Sequence, residues 1–108
     1  MRGDVRVLEV RGDVDLGAGR ELAQRLSDAL ASGDGVVVDL EGCTFIDSSG
    51  LNALLRAARQ SAGPDGRRRL AVHAPQAGTV RRLFSLTRTY DLLPVHDDLE
   101  GARRALLD

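Results

Sequence analysis

Two adjacent serines near the middle of the chain have the residue types and neighbours of a chemically modified site. They lie in the stretch Asp47-Ser48-Ser49-Gly50, between a β-branched run and a stripe of leucines. A serine oxygen at a helix start can accept a hydrogen bond from the first-turn N–H groups, and an aspartate is favourable near the positive end of the helix dipole. One oxygen suffices for a cap, so one of the two hydroxyls should be available for chemistry. A helix cap with no further role is the alternative interpretation.

The surroundings of these serines disfavour nucleophilic catalysis. A hydrolase elbow has the pattern Gly-x-Ser-x-Gly together with an activating histidine, and the stretch here lacks the leading glycine. All fifteen basic residues are arginine. The chain therefore has no lysine, which a P-loop and a Schiff-base enzyme each require. A phospho-receiver domain with Asp39 or Asp47 as acceptor would need a lysine as well. We expect a protein that is not an enzyme.

Length and composition indicate one small domain with few kinds of partner. The 108 residues are 43% apolar and 3% aromatic, and the net charge is -1. A nearly neutral chain with few aromatic residues gives no reason to expect nucleic acid or an anionic membrane as partner. The sequence shows no charged-then-apolar leader and no apolar run of membrane-spanning length. We therefore expect a single domain over residues 1–108, located in the cytoplasm.

The sequence also disfavours metal and cofactor sites, and we expect neither. Cys43 is the single cysteine, which excludes an intramolecular disulfide and suits a reducing compartment. It follows a buried strand and should be a small core residue. His73 and His96 have no cysteine or carboxylate at ligand spacing, so a structural role is expected for both. The run Arg67-Arg68-Arg69 is interpreted as a solvated loop, with partner contact as the alternative.

The first half of the chain alternates strand and helix patterns. Apolar residues at positions 5, 7, 8 and 10, followed by Gly12-Asp13, suggest a strand, a turn and a short return strand near Val14, which would form an opening hairpin. Leucines and alanines at helical spacing predict a helix from about Gly19 to Ala31. The nearly continuous β-branched run Val36–Leu40 is typical of a strand at the centre of a parallel sheet.

The second half continues the alternation. A leucine stripe that starts at Leu51 and is closed by Gly63-Pro64-Asp65-Gly66 predicts a helix beginning at the serines. The later elements are a strand Leu70–His73, a helix with Val80, Leu83 and Phe84 on its face, an edge strand Pro94–His96, and a last helix capped by Asp97 or Asp98. The order ββαβαβαβα predicts a single compact α/β domain with a mostly parallel or mixed central sheet and about four helices.

The central stretch closely resembles the signature of the STAS family, the domain of anti-sigma factor antagonists, in which a buried strand is followed by Asp-Ser-Ser-Gly-Leu at a helix start. The resemblance covers nearly the whole chain, through the segments Gly12–Leu16, Val36–Leu40, Phe45–Leu51, Val80–Thr87 and Leu92–Val95. It implies a STAS-like fold. The family usually has glycine where this chain has Arg88, so a left-handed backbone there would be strained.

The resemblance implies a switch at the first serine, here Ser48. A partner anti-sigma factor with serine kinase activity would phosphorylate it and so end the binding between the two proteins, which otherwise releases a sigma factor. A phosphatase would reverse the modification. The implied partner surface consists of Asp13, Asp15, Asp47, Ser48, Ser49, Gly50 and Leu51. The alternative for Asp13 and Asp15 is that both carboxylates only cap a turn and the first helix. The alternative within the family is a non-switching scaffold subunit of a signalling or lipid-transport complex.

Overall fold

The computed structural model describes residues 5–32, 35–61, 69–75, 78–88 and 92–107. Within these ranges the chain forms six strands and four helices. In chain order they are β1 (Val5–Glu9), β2 (Gly12–Val14), α1 (Leu16–Ala31), β3 (Gly35–Asp39), β4 (Cys43–Ile46), α2 (Ser48–Ser61), β5 (Leu70–His73), α3 (Thr79–Leu86), β6 (Val95–His96) and α4 (Leu99–Leu107).

The main sheet is parallel throughout and has the strand order β1-β3-β5-β6. β3 lies between β1 and β5, and its three valines are fully buried, as expected for a strand covered on both faces. β6 pairs through Val95 and His96 at the edge, directly after Pro94, which has no N–H to donate. A second, two-stranded parallel sheet joins β2 to β4. The predicted α/β class with mostly parallel strands is confirmed.

The predicted opening hairpin is wrong. β1 runs parallel to β3, and β2 runs parallel to β4. Gly12 has φ +73° and the register shifts between Gly12 and Asp13, so the glycine bends the strand path without reversing it. The N–H groups of Val10 and Gly12 continue the pairing along this path, to Asp39 O at 3.0 Å and Gly42 O at 2.9 Å.

The strand β4 is missing from the predicted order, so the observed order is ββαββαβαβα. Cys43 and Ile46 are buried, whereas Thr44 and Phe45 between them are exposed. This segment therefore lacks the alternation of period two that marks a half-buried strand. Its presence means that Asp47 follows directly on the end of a paired strand.

Two apolar clusters of unequal size hold the layers together. The larger cluster joins α1, α2 and α3 to one side of the sheets, and Leu26, Leu54 and Phe84 within it are each at most 1% exposed. The smaller cluster packs α4 against β3 and β5, through Val37 and Ala102 among others. Successive strand residues point to opposite faces, which is why Val37 belongs to a different cluster from the valines beside it.

The helix boundaries mostly follow the predictions. α1 begins at Leu16, three residues before the predicted start, and α2 begins at Ser48 as predicted. Asp98 caps α4, since its Oδ1 accepts a hydrogen bond from the Gly101 N–H at 2.6 Å. The turn at residues 63–66 lies outside the described residues. Among the helices described here, none is both long enough and apolar enough to cross a bilayer.

Candidate functional site

Two aspartates lie side by side at the start of two helices. Val14 and Ile46 are register partners at the carboxyl ends of β2 and β4, and the Asp47 N–H donates to Val14 O at 3.0 Å. Each strand then turns into a helix, with Asp15 at the N-cap of α1 and Asp47 immediately before Ser48. The region beyond the carboxyl ends of parallel strands is where α/β folds usually build their sites. The two helix starts therefore form one surface.

Asp47 caps α2. Its Oδ1 accepts hydrogen bonds from the Ser49 N–H at 2.9 Å, the Gly50 N–H at 3.1 Å and the Ser49 hydroxyl at 2.6 Å. These bonds, the one from the Ser49 hydroxyl foremost, hold the pKa of the Asp47 carboxyl below its ordinary value of 3.8. The expectation that a serine caps the helix is wrong, because Asp47 occupies the N-cap position and Ser48 is already helical.

The two serine hydroxyls have different surroundings. Ser49 is half-buried and its hydroxyl is bonded to Asp47. Gly19 of α1 packs so closely against it that a Cβ at position 19 would lie 3.1 Å from Ser49 Cβ. Ser48 is exposed, and its hydroxyl has no hydrogen-bond partner among the described residues. Of the two hydroxyls, the one that a second protein can reach is that of Ser48.

Gly50 and Leu51 determine how closely the start of α2 packs against the ends of β2 and β4. A Cβ at position 50 would lie 2.7 Å from side-chain carbons of both Val14 and Ile46, so α2 can approach the strand ends this closely only with glycine here. Leu51 is 9% exposed and belongs to the larger cluster. Both residues therefore position the serines through packing.

Asp13 on β2 lies next to an exposed aromatic residue. Asp13 Oδ1 accepts a hydrogen bond from Thr44 Oγ1 at 2.6 Å, and the register partner of Asp13 is Phe45, which is 46% exposed. Asp15 is exposed as well, and its carboxylate makes no capping hydrogen bond to the described first turn of α1. The carboxylate of Asp15 thus has no partner among the described residues, and Phe45 adds an apolar surface beside Asp13.

The histidine expected to be structural forms a buried pair. His73 Nδ1 lies 2.8 Å from Asp39 Oδ1, with side-chain exposures of 6% and 14%. The two are register partners on β5 and β3, so the fold brings together residues that sequence spacing did not connect. Cys43 is buried, as expected, and burial raises the pKa of its thiol. Within the described ranges there is no group of three or more His, Cys, Asp or Glu residues that could hold a metal ion.

Two of the arginines considered in the sequence analysis, Arg69 and Arg88, have a defined place in the structure. Arg69 is half-buried and donates to Leu30 O at 2.6 Å, so the prediction of a solvated loop is wrong for this residue, while positions 67 and 68 lie outside the described residues. Arg88 has φ +57°, the left-handed conformation expected where relatives have glycine. Its N–H donates to Ser85 O at 3.3 Å just after α3.

The match of the chain to known proteins agrees with this fold. Residues 1–94 match the family described as "Mlab, STAS domain", and the chain belongs to the STAS domain family. It is similar to an anti-sigma factor antagonist from Mycobacterium paratuberculosis, with TM-score 0.81 and 28% identity, covering 96% of this chain and 86% of that chain. No curated protein matches the chain.

Two further solved structures share the fold at lower identity. One is the anti-sigma factor antagonist SpoIIAA in its unphosphorylated form, with TM-score 0.65 and 23% identity, covering 90% of this chain and 83% of that chain. The other is a sulfate transporter family protein from Wolinella succinogenes, with TM-score 0.71 and 18% identity, covering 95% of this chain and 85% of that chain. The predicted family is confirmed. Its fold occurs both in an anti-sigma factor antagonist and in a sulfate transporter family protein.

The structure brings the predicted residues together and adds three neighbours. The residues from Asp47 to Leu51 form one helix start, and Asp13 and Asp15 lie on the adjoining strand end. The added residues are Gly19, Thr44 and Phe45. Gly19 lies at the predicted start of the first helix, and only the observed start at Leu16 makes it a glycine inside a helix, where close packing is a common cause. The exposure of Thr44 and Phe45 has no local signal, because β4 was not recognised as a strand.

Proposed function

We propose that this domain is an anti-sigma factor antagonist that works by partner switching in the cytoplasm. Unphosphorylated, it binds an anti-sigma factor with serine kinase activity, and the sigma factor is released. Phosphorylation at Ser48 ends the binding, and a phosphatase restores it. The observation that carries the proposal is the exposed Ser48 hydroxyl at the start of α2, which makes no hydrogen bond to any described residue.

In this proposal the domain is an acceptor and not an enzyme. The Ser48 oxygen attacks the γ-phosphorus of ATP held by the kinase, the bond to the ADP oxygen breaks, and the serine proton passes to a base of the kinase. Asp47 is the adjacent carboxylate, but its Oδ1 already accepts three hydrogen bonds from Ser49 and Gly50. The catalytic groups therefore come from the partner.

We expect the phosphate to disrupt the interface and to leave the fold intact. It adds about -1.5 to -2 charges. At the start of α2 this charge meets a favourable helix dipole, while the Asp47 carboxylate next to it opposes the gain. The helix dipole and the Asp47 carboxylate change the stability of the free domain in opposite directions, so we expect phosphorylation to change its free energy of unfolding little. In a complex, an unpaired and desolvated dianion costs several kcal/mol, which is about a thousandfold in affinity.

The test is the intact mass of the domain after incubation with its anti-sigma partner and ATP. The wild type and Ser49→Ala should each gain one phosphate, whereas Ser48→Ala should gain none. Ser49→Ala is the matched control, because it removes the neighbouring hydroxyl and leaves the acceptor. Phosphate that maps to Ser49 or to Ser85 would contradict the assignment.

Asp13 and Asp15 are proposed to share the partner surface with Ser48. Asp13→Asn retains an oxygen that can accept the Thr44 hydrogen bond, and Asp15 makes no capping bond within the described helix start. Neither asparagine variant should therefore change the melting temperature much, while both should weaken binding to the anti-sigma factor. Titration calorimetry that gives equal affinity for the wild type and both variants would reject this role.

A non-switching scaffold subunit is the second candidate. It is favoured by the match to a family described as "Mlab, STAS domain" and by the fold shared with a sulfate transporter family protein. A scaffold would keep its partner when Ser48 is changed to Asp and would gain no phosphate in the mass experiment. A switch would lose the partner with the same variant.

A further inference from the structure

A groove between α1 and α2 begins beside the serine site. We call it the arginine groove; its volume is about 360 Å³. Its buried lining consists of the small residues Gly19, Ala53 and Ala57 together with Leu26, and its exposed lining includes Arg20 and Arg56. Because three of these four buried residues have at most one side-chain carbon, the two packed helices leave an open channel between their longer side chains.

The two arginines of the arginine groove are not paired with any carboxylate of the described residues. Arg20 and Arg56 are exposed, and neither has an ion pair or a hydrogen bond to a described residue. No carboxylate is among the described residues that line the groove, and the sequence of α2 contains none. Asp28 of α1 lies outside the lining and accepts a hydrogen bond from Gln24 at 2.9 Å. This local charge contrasts with the net charge of -1 for the whole chain.

The shape of the groove fits an elongated occupant. Its lining extends along α2 from Ser49 to Gln60, which is about 16 Å at the helical rise per residue, and along α1 from Gly19 to Ser27, about 12 Å. None of the described lining residues is aromatic, so the groove offers no surface on which a base could stack. A peptide segment with carboxylates along its length fits both the length and the charge.

We propose that the arginine groove binds an acidic segment of the protein that docks on Ser48. This inference rests on the proposed function, because the groove and the serine site share Ser49 and Gly19 and a partner covering one would continue into the other. Together they form a surface that is acidic at Asp13 and Asp15 and basic along the groove. Such a pattern of charges fixes the orientation of a partner.

The direct test uses a defined probe and the whole domain. A twelve-residue glutamate-rich helical peptide is titrated into the ¹⁵N-labelled domain, with its glutamine counterpart as the uncharged control. We expect amide shifts along the groove-facing residues of α1 and α2 with the glutamate peptide, weakened by added salt. Shifts elsewhere, or equal binding of the glutamine peptide, would overturn the inference.

Arginine variants assign the binding to the groove. One exposed ion pair contributes up to about fivefold in affinity. The double variant Arg20→Gln with Arg56→Gln should therefore bind the glutamate peptide about tenfold more weakly than the wild type does. Arg59→Gln is the matched control, because Arg59 is an exposed arginine of α2 outside the groove lining. Equal losses in the double variant and the control would contradict the groove as the binding site.

The same variants separate this inference from the proposed function. If the partner phosphorylates Ser48 but binds the double variant as tightly as the wild type, the groove inference fails and the switch stands. If the peptide binds in the groove but no anti-sigma kinase binds or modifies the domain, the assignment of the partner fails while the acidic-segment site stands. The melting temperature of the double variant confirms that the fold is retained.

Discussion

Gly19 of α1 and Ser49 of α2 are in direct contact where the two helix starts meet. A methyl group at position 19 would lie 3.1 Å from Ser49 Cβ and would collide with the hydroxyl oxygen. Two residues earlier in the same helix, a methyl group on Gly17 would have no described atom within 4 Å. Replacing each glycine with alanine in turn therefore distinguishes two effects on stability. At position 19 the methyl group meets a close contact, whereas at position 17 it only increases helix propensity.

Gly19→Ala should destabilise the domain by about 1–3 kcal/mol, because the added methyl group overpacks a tight contact. Gly17→Ala should stabilise it by up to about 1 kcal/mol, because alanine favours the helix and glycine does not. Denaturant unfolding of both variants measures the difference. A gain in stability for Gly19→Ala as large as that for Gly17→Ala would show that the helices do not approach this closely.

Arg88→Gly should raise the free energy of unfolding by about 0.5–1 kcal/mol. A side chain in the left-handed conformation costs roughly 1–2 kcal/mol, and glycine returns about half of this through the entropy of its unfolded state. Arg88→Ala removes the charge but keeps the Cβ atom at φ +57°. An equal gain for alanine and glycine in thermal or denaturant unfolding would show that the charge, and not the backbone, is the cause.

Asp47 should make a contribution to stability that disappears in acid. Its hydrogen bonds hold the folded pKa below the ordinary value of 3.8, so the contribution is complete above the unfolded pKa and is lost as the pH falls through the folded one. Asp47→Asn keeps most capping ability but cannot ionise. The wild type should therefore be the more stable of the two at pH 7, and the difference should shrink below about pH 4. Unfolding curves from pH 7 to pH 3 that show a constant difference would contradict this.

His73→Leu should lower the free energy of unfolding by about 1–3 kcal/mol, because Asp39 loses the ring nitrogen that lies 2.8 Å from its carboxylate. His96→Leu is the control, since this ring is half-buried and makes no hydrogen bond to the described part of the chain. Its loss should be under about 1 kcal/mol. Equal losses measured in urea would show that the pair with Asp39 makes no specific contribution.

The features that local patterns encode could be predicted from the sequence. The β-branched run at Val36–Val38 marks the sheet centre, and the leucine stripe from Leu51 marks the helix that begins at Ser48. The sequence left the backbone at Arg88 open, and the structure answers it with a left-handed conformation at this one position. Each of these depends on side-chain periodicity or on the conformation of a single residue.

The features that pairing between distant segments determines could not be predicted. Gly12-Asp13 has the composition of a reversing turn, but β2 pairs with β4, so a bend at Gly12 is enough. Pairing across the sheets likewise sets the contact between Asp39 and His73 and the exposure of Phe45. The cap at Asp47 was misassigned because aspartate and serine are both good caps and the choice depends on where the helix begins.

The unequal apolar clusters give the two sides of the sheet different resistance to partial unfolding. The fully buried members of the smaller cluster among the described residues are Val37, Ala71 and Ala102. Of the four described helices, α4 therefore has the fewest buried residues, with Ala102 alone. Local unfolding occurs most readily in the element that has the fewest buried apolar contacts. Amide hydrogens in such an element exchange before those of the main core. We therefore expect α4 to open before α1 and α2, whose buried residues belong to the larger cluster, so that such openings leave the position of Ser48 unchanged.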